Sequence, residues 1–417
     1  MMLDRTVAPA ASAVDRPKLP ASESLTIQGV TVTSLSQGEQ PVMLLEFVIP
    51  IGRWQEPAPG IAYFVSKMLT EGTRSKSSAE IASIFDFYGS HLDIIPTLDH
   101  ISIKLYTLNK FLPNLLPLVV ELFNESNFSE KEFDTLKQIR LQQIRQQHAR
   151  NNAYASLKFR EMLFGKNHPY GHIILPDEVE KTTLETVANF KNAILTKPQI
   201  FVSGLISSSE MAAIEEMLSQ LSFTAPMAPA DAIISPTKSQ TITREDSSQA
   251  SIRMGNIAVS RQHPDSHKLK IANTMLGGFF GSRLMKNIRE EKGLTYGIHS
   301  SFVHMEQGSY WNIGSEVLRD KTELAKEEIL KEILKLSNEA PGQAEFNMVK
   351  NYLKGKFLSS FDSPFSSHEM IKSLRLENLP DQYLMDFLDE LDGMKAEEVS
   401  EMVGKHFSND LTTLMVF

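Results

Sequence analysis

The chain has 417 residues, of which 41% are hydrophobic and 22% charged, a balance that suits a globular protein of two or three domains better than one core. A formal net charge of −9 argues against nucleic acid or an anionic membrane as partner, since both call for a basic surface. The absence of cysteine excludes disulfides, thiolate nucleophiles and cysteine-based metal sites.

No apolar run reaches the roughly 18 residues of a membrane-spanning helix. The opening "MMLDRTVAPAASAVDRPKLPA" lacks the apolar centre of a secretory signal. Residues 1–24 therefore read as a flexible Ala- and Pro-rich arm, and the expected compartment is the cytoplasm, with the periplasm as the alternative if a signal peptide was removed.

From residue 25 the pattern is α+β. Two strands are expected over residues 26–50, "LTIQGVTVTSL" and "PVMLLEFVIP", joined by a turn at "SQGEQP". "GIAYFVSKMLTEGT", Gly60 to Thr73, is an amphipathic helix. Ile61, Phe64, Val65, Met68 and Leu69 form its core stripe, and Tyr63, Ser66 and Lys67 share another face. Ser77 with Glu80, and Ser129 with Glu132, predict capping boxes; the second opens a long helix through "KQIRLQQIRQQHAR". "HLDII" and "ISIKLYTL" read as a strand pair, Phe111 to Phe123 as an apolar helix, and "HPYGH" at 168–172 as a loop. A helix over Leu184 to Ile194 leads into the strand "QIFVSGL", and Ser207 with Glu210 caps one more helix.

Residues 25–221 thus form one unit, and residues 222–240, with Pro226, Pro229 and Pro236, read as a linker. Residues 241–417 repeat the order. The strand "ASIRMGNIAVS" comes first, then a helix near Ser266 to Leu276, the glycine turn "GGFFGS" and a helix through "RLMKNIREEKG". Two strands follow, "LTYGIHSSFVHM" and "SYWNIGSEV", then several helices and the closing strand "LTTLMVF". The matching order suggests two copies of one unit with largely antiparallel sheets.

Taken singly, the motifs are modest. Gly277, Gly278 and Gly281 lack the G-K-[ST] of a phosphate loop and read as a tight turn. The pairs His168/His172 and His263/His267 each include Pro, so neither is a helical metal-ligand pair. Arg289 alone would be a solvated residue beside Glu290 and Glu291, and Tyr296 alone a packed strand aromatic.

Together, two stretches resemble the M16 peptidase family. "LGGFFGSRLMKNIREEKGLTYGIHSSF", Leu276 to Phe302, is similar to its second-domain signature, and "HPYG" at 168–171 to a loop of its bacterial first domain. The resemblance implies two tandem domains of the LuxS/MPP-like metallohydrolase fold. Catalytic members carry H-x-x-E-H on a first-domain helix, two zinc ligands and a general base, with a Glu on a later helix as third ligand. Aligned on Gly60 to Thr73, Tyr63 stands at the first His, Ser66 at the base and Lys67 at the second His; Gln143 falls at the third ligand. Lys67 brings positive charge to the cation's place, Gln143 is a weak zinc ligand and Ser66 is no base near neutral pH. No metal or other cofactor is expected in this chain.

The second-domain Arg and Tyr of the family, seven positions apart, match Arg289 and Tyr296. The resemblance therefore implies a non-catalytic subunit of a heterodimeric M16 zinc metallopeptidase. Its partner would be a zinc-bearing H-x-x-E-H subunit, and its substrates peptides held extended against a sheet edge. Arg289 would bind substrate carbonyls and Tyr296 the developing oxyanion, both in trans. A second reading is a peptide-binding or scaffolding protein without peptidase activity, and a homodimer is a third. Neither nucleic acid nor a membrane is expected as partner.

Overall fold

The computed structural model describes residues 16, 18–229, 231–244, 247–407 and 410–417. The expected arm falls mostly outside this set, in residues 1–15 and 17, and strand β1 (Ser22–Ile27) already begins inside its expected span. Among the described residues no helix is long and apolar enough to cross a membrane.

The first run, expected as one strand, is a hairpin. Gln28 and Gly29 take φ of 49° and 74°, a reversal that folds β1 against β2 (Val30–Ser36), with Ile27 opposite Val30. After β3 (Val42–Ile49) come α1 (Ile61–Met68), α2 (Ser78–Phe87), β4 (His91–Pro96), β5 (Ile101–Leu108), α3 (Leu112–Glu125) and α4 (Glu130–Ala149). Then follow α5 (Asn151–Phe164), α6 (Pro176–Lys181), α7 (Leu184–Phe190), β6 (Gln199–Gly204) and α8 (Ser208–Ser219). The sheet order is β1-β2-β6-β3-β5-β4. β6 runs parallel to β2 and antiparallel to β3, so the turn after β2 joins strands that are not neighbours.

Capping boxes form at Ser77/Glu80 and Ser207/Glu210. At Ser129 only half of one does. Its hydroxyl accepts from the Glu132 N–H at 3.3 Å, while the Glu132 carboxylate turns to Lys131.

The second half repeats the plan. β7 (Gln240–Ile242), β8 (Gln249–Ile257), α9 (Ser266–Asn273), β9 (Thr295–Met305) and β10 (Gly308–Leu318) precede α10 (Thr322–Asn338), α11 (Gln343–Ser359) and α12 (Pro364–Leu376). α13 (Gln382–Gly393), α14 (Ala396–His406) and β11 (Thr412–Val416) close the chain. The order β7-β11-β8-β10-β9 makes β11 the counterpart of β6 and β8 that of β3. Between α9 and β9 the backbone differs from expectation: Thr274–Gly278 and Met285–Glu291 are π-helical, so Gly277 and Gly278 close a helix and the turn falls on residues 279–282.

Two helices cross over. α5, from the first half, packs Phe159, Met162 and Leu163 with Leu414 and Val416 of β11. α12, from the second half, covers β2 and β6. A polar cluster binds each. In the first sheet, Glu46 on β3 meets His368 (2.6 Å) and Lys372 (3.0 Å) of α12. In the second, Arg253 on the equivalent strand β8 donates to Asn152 of α5 at 2.9 Å and pairs with Glu316 at 3.2 Å.

Candidate functional site

Helix α1 carries Tyr63, Ser66 and Lys67, the residues that the sequence resemblance aligns with the H-x-x-E-H motif. Its stripe sinks Ile61, Phe64, Val65 and Met68 into the first core, which fixes the other face toward α4 and β4. Ser66 is fully buried, and its hydroxyl donates to the Tyr63 carbonyl at 2.8 Å. Lys67 reaches across to β4, where its amine donates to the Ile94 carbonyl at 2.7 Å. The Tyr63 hydroxyl donates to Oε1 of Gln143 on α4 at 3.3 Å, so the sequence alignment brings together two residues eighty positions apart.

This set does not fit zinc. Tyr63 could ligate only as a phenolate, yet burial pushes its phenol up against the pull of Arg140. Ser66 is committed to its own helix, and Lys67 offers N–H donors rather than a lone pair.

Beside Tyr63 opens a cavity of about 410 Å³, lined by Arg53, Glu56, Arg140, Arg160 and His172 among others. The sequence reading did not single out these arginines. One signal was available. Positions three and four away from Arg140 are Leu136, Lys137, Gln143 and Ile144, and those around Arg160 are Ser156, Leu157, Leu163 and Phe164. Neither arginine has an acidic helical neighbour to neutralise it.

Arg289 and Tyr296 do come together. The π-helical segment ends just before edge strand β9, and the Arg289 guanidinium lies 5.1 Å from the Tyr296 ring and 4.6 Å from the ring of Phe280. Tyr296 is 91% exposed, so it is not the packed strand aromatic that its sequence position alone suggests. All three residues line a cavity of about 850 Å³ over the second sheet. Its wall is braced from behind: the Trp311 indole donates to Asn273 and Ser300, tying β10 to α9 and β9.

The "HPYG" loop links the halves. The Tyr170 hydroxyl donates to Asp99 and accepts from the Gln307 N–H at 3.0 Å, in the β9–β10 turn. Burial, reinforced by the like charge of Asp99, pushes the neighbouring Glu306 carboxyl up to about 7. The histidine pairs divide as their prolines suggest. His168 accepts from the Tyr170 N–H and His172 pairs with Glu178; His263 accepts from the Asp265 N–H, while the His267 ring packs at a tilt against Tyr383. Glu46, His368 and Glu369 approach one another as metal ligands might be grouped, but the Lys372 amine lies 3.0 Å from Glu46 and 2.7 Å from Glu369 and supplies the positive charge itself.

Comparison with known proteins agrees with this architecture. Residues 31–177 match the model of the insulinase family, peptidase family M16, and residues 181–353 that of the peptidase M16 inactive domain. A Bacillus subtilis protein named uncharacterized zinc protease YmxG is 24% identical over 371 residues, spanning 86% of this chain and 88% of its own. A Helicobacter pylori protein named non-peptidase homolog YmxG is 22% identical over 373 residues, spanning 86% and 84%. The crystal structure of a peptidase M16 inactive domain from Pseudomonas fluorescens superposes with a TM-score of 0.85 at 24% identity, over 95% of this chain and 98% of that one. That of a protease from Helicobacter pylori gives 0.85 at 19%, over 96% and 100%. The paired α+β halves and the two family matches, which together run from residue 31 to residue 353, make this chain a member of peptidase family M16.

Proposed function

We propose that this chain is a non-catalytic M16 subunit that pairs with a separate zinc-bearing subunit and lends it Arg289 and Tyr296. One observation carries the reading: a donor set unsuited to zinc, Tyr63, Ser66, Lys67 and Gln143, coexists with an Arg289–Tyr296 pair that faces a large cavity. The name of the Helicobacter pylori relative, a non-peptidase homolog, points the same way.

In this reading the partner's zinc supplies the activated water. An extended peptide lies along the free edge of β9, where backbone pairing tolerates many sequences. Arg289 leaves its ring contacts to donate to substrate carbonyls, and the exposed Tyr296 hydroxyl donates to the oxygen that gains charge during attack.

The test is reconstitution. Alone, the chain cleaves no peptide; mixed with an H-x-x-E-H subunit from the same cell, it does. Tyr296→Phe then lowers kcat by about a hundredfold, the cost of a lost oxyanion donor, and Arg289→Ala raises KM. Cleavage by the lone chain, or full activity in both variants, overturns the reading. Recovery from the cell without any H-x-x-E-H chain favours the scaffolding alternative.

A further inference from the structure

The Arg-lined cavity beside Tyr63 carries more positive charge than the protein neutralises. Its one lining carboxylate, Glu56, is fully engaged. Oε1 accepts from Arg53 at 3.0 Å and Oε2 from the Ala62 N–H at 3.2 Å, and the Glu56 side chain is only 4% exposed. Arg53 spends its remaining fork on the His172 carbonyl at 2.8 Å, and His172 is held by Glu178.

Arg140 and Arg160 are left over. The Arg140 guanidinium lies 4.3 Å above the Tyr63 ring and has no hydrogen bond or ion pair among the described residues. Arg160 donates through Nε to the Tyr170 carbonyl at 2.5 Å, and its two terminal nitrogens have no partner among the described residues. Burial, aided by the like charge of Arg53, pushes both guanidiniums down; Tyr63 and Glu56 near Arg140, and Tyr310 near Arg160, offset only part of it. A half-buried guanidinium without an anion is costly, so a ligand that supplied one would bind with that cost recovered.

We propose that this cavity is a carboxylate-binding site, gripping the carboxylate of a peptide between Arg140 and Arg160. Planar guanidiniums match a carboxylate with two parallel hydrogen bonds. The walls also include Leu98, Ile144, Leu157 and Ile174. They would receive the aliphatic part of the same residue, and about 410 Å³ suits one residue rather than a bare ion. The α-carboxylate of a peptide C-terminus and the side chain of an internal Asp or Glu share this chemistry. The site belongs to this chain alone and does not depend on a zinc-bearing partner, so its failure and that of the trans-acting reading are separable.

The test is a fluorescence-anisotropy titration of the isolated chain with three labelled hexapeptides: one with a free C-terminus and no acidic side chain, its C-terminal amide, and an amide containing one internal Glu. We expect the free acid, the internal Glu peptide, or both to bind at least about tenfold more tightly than the plain amide, as a charge-assisted bond requires. Which of the two gains identifies the source of the carboxylate. Arg140→Gln and Arg160→Gln should each abolish that tenfold preference, while affinity for the plain amide stays unchanged. Arg140→Lys, which keeps the charge but not the fork, should retain only part of it. Equal affinity for all three peptides, binding of none, or an undiminished preference in both folded Gln variants overturns the proposal. So does protection from thermal unfolding by inorganic phosphate with no carboxylate preference, which would assign the site to phosphate.

Discussion

Glu46 and His368 lie 322 residues apart and meet at 2.6 Å inside the protein, both side chains fully buried. Burial alone would push the Glu46 carboxyl up, but His368, Lys372 and Ser102 together hold it at about 2. Glu46→Gln leaves that cluster without its anion and should cost about 3–5 kcal/mol, the usual price of breaking a buried pair from one side. Urea denaturation reads it as a lower midpoint. The contribution is complete above the unfolded value near 4.5 and fades as pH falls toward 2. Wild type should therefore lose more stability than the variant between pH 5 and pH 3; parallel losses would contradict this assignment.

The face of α1 makes a metal-content prediction. With Lys67 bonded to Ile94 and Ser66 to its own helix, the purified chain should hold far less than one zinc per molecule by elemental analysis. Replacing Tyr63 by His, Ser66 by Glu, Lys67 by His and Gln143 by Glu restores the ligand chemistry and should raise zinc toward one equivalent. Stoichiometric zinc in the wild type would falsify the argument from donor chemistry.

At the junction of the halves, Glu306 runs the other way in pH. Its carboxyl holds its proton up to about 7 when folded, against 4.5 unfolded, so the folded state binds more protons between those values. Stability from this group accordingly grows as pH falls from 8 toward 5. Its side chain is 34% exposed, which softens the effect. Glu306→Gln should raise Tm at pH 8 and change it little at pH 5. A constant shift across that range would remove Glu306 from the account.

Gly204 ends β6 with φ of 131°, and a Cβ there would lie 2.3 Å from the Val42 carbonyl oxygen. Backbone strain and a steric clash both oppose a side chain, so Gly204→Ala should cost about 2–4 kcal/mol. Thermal or urea unfolding measures it; a neutral substitution would mean that β3 gives way at its first residues.

Much of this was legible in the chain. The stripe of Ile61, Phe64, Val65 and Met68 announced α1, and Ser77/Glu80 and Ser207/Glu210 marked helix starts, because these are local rules of spacing and capping. What escaped was non-local or exceptional. Alternation through Gln28–Gly29 hid a reversal that only positive φ reveals. Nothing within β2, β3 or β6 states that the last of them lies between the other two. The π-helical turns, one of which contains Arg289, carry no residue pattern that sets them apart from ordinary helix. Arg53, in the loop before α1, Arg140 on α4 and Arg160 on α5 belong to three separate segments, and only the packing of α4 against both α1 and α5 gathers them at one cavity.

Because α5 lies on the far sheet and α12 on the near one, the halves clasp each other like two hands, and the chain between them is not what keeps them together. A protease nick near Pro226 or Pro229 should leave two fragments that still migrate as one particle. Either half expressed by itself would lack a helix that its sheet borrows and would expose that bare face to water.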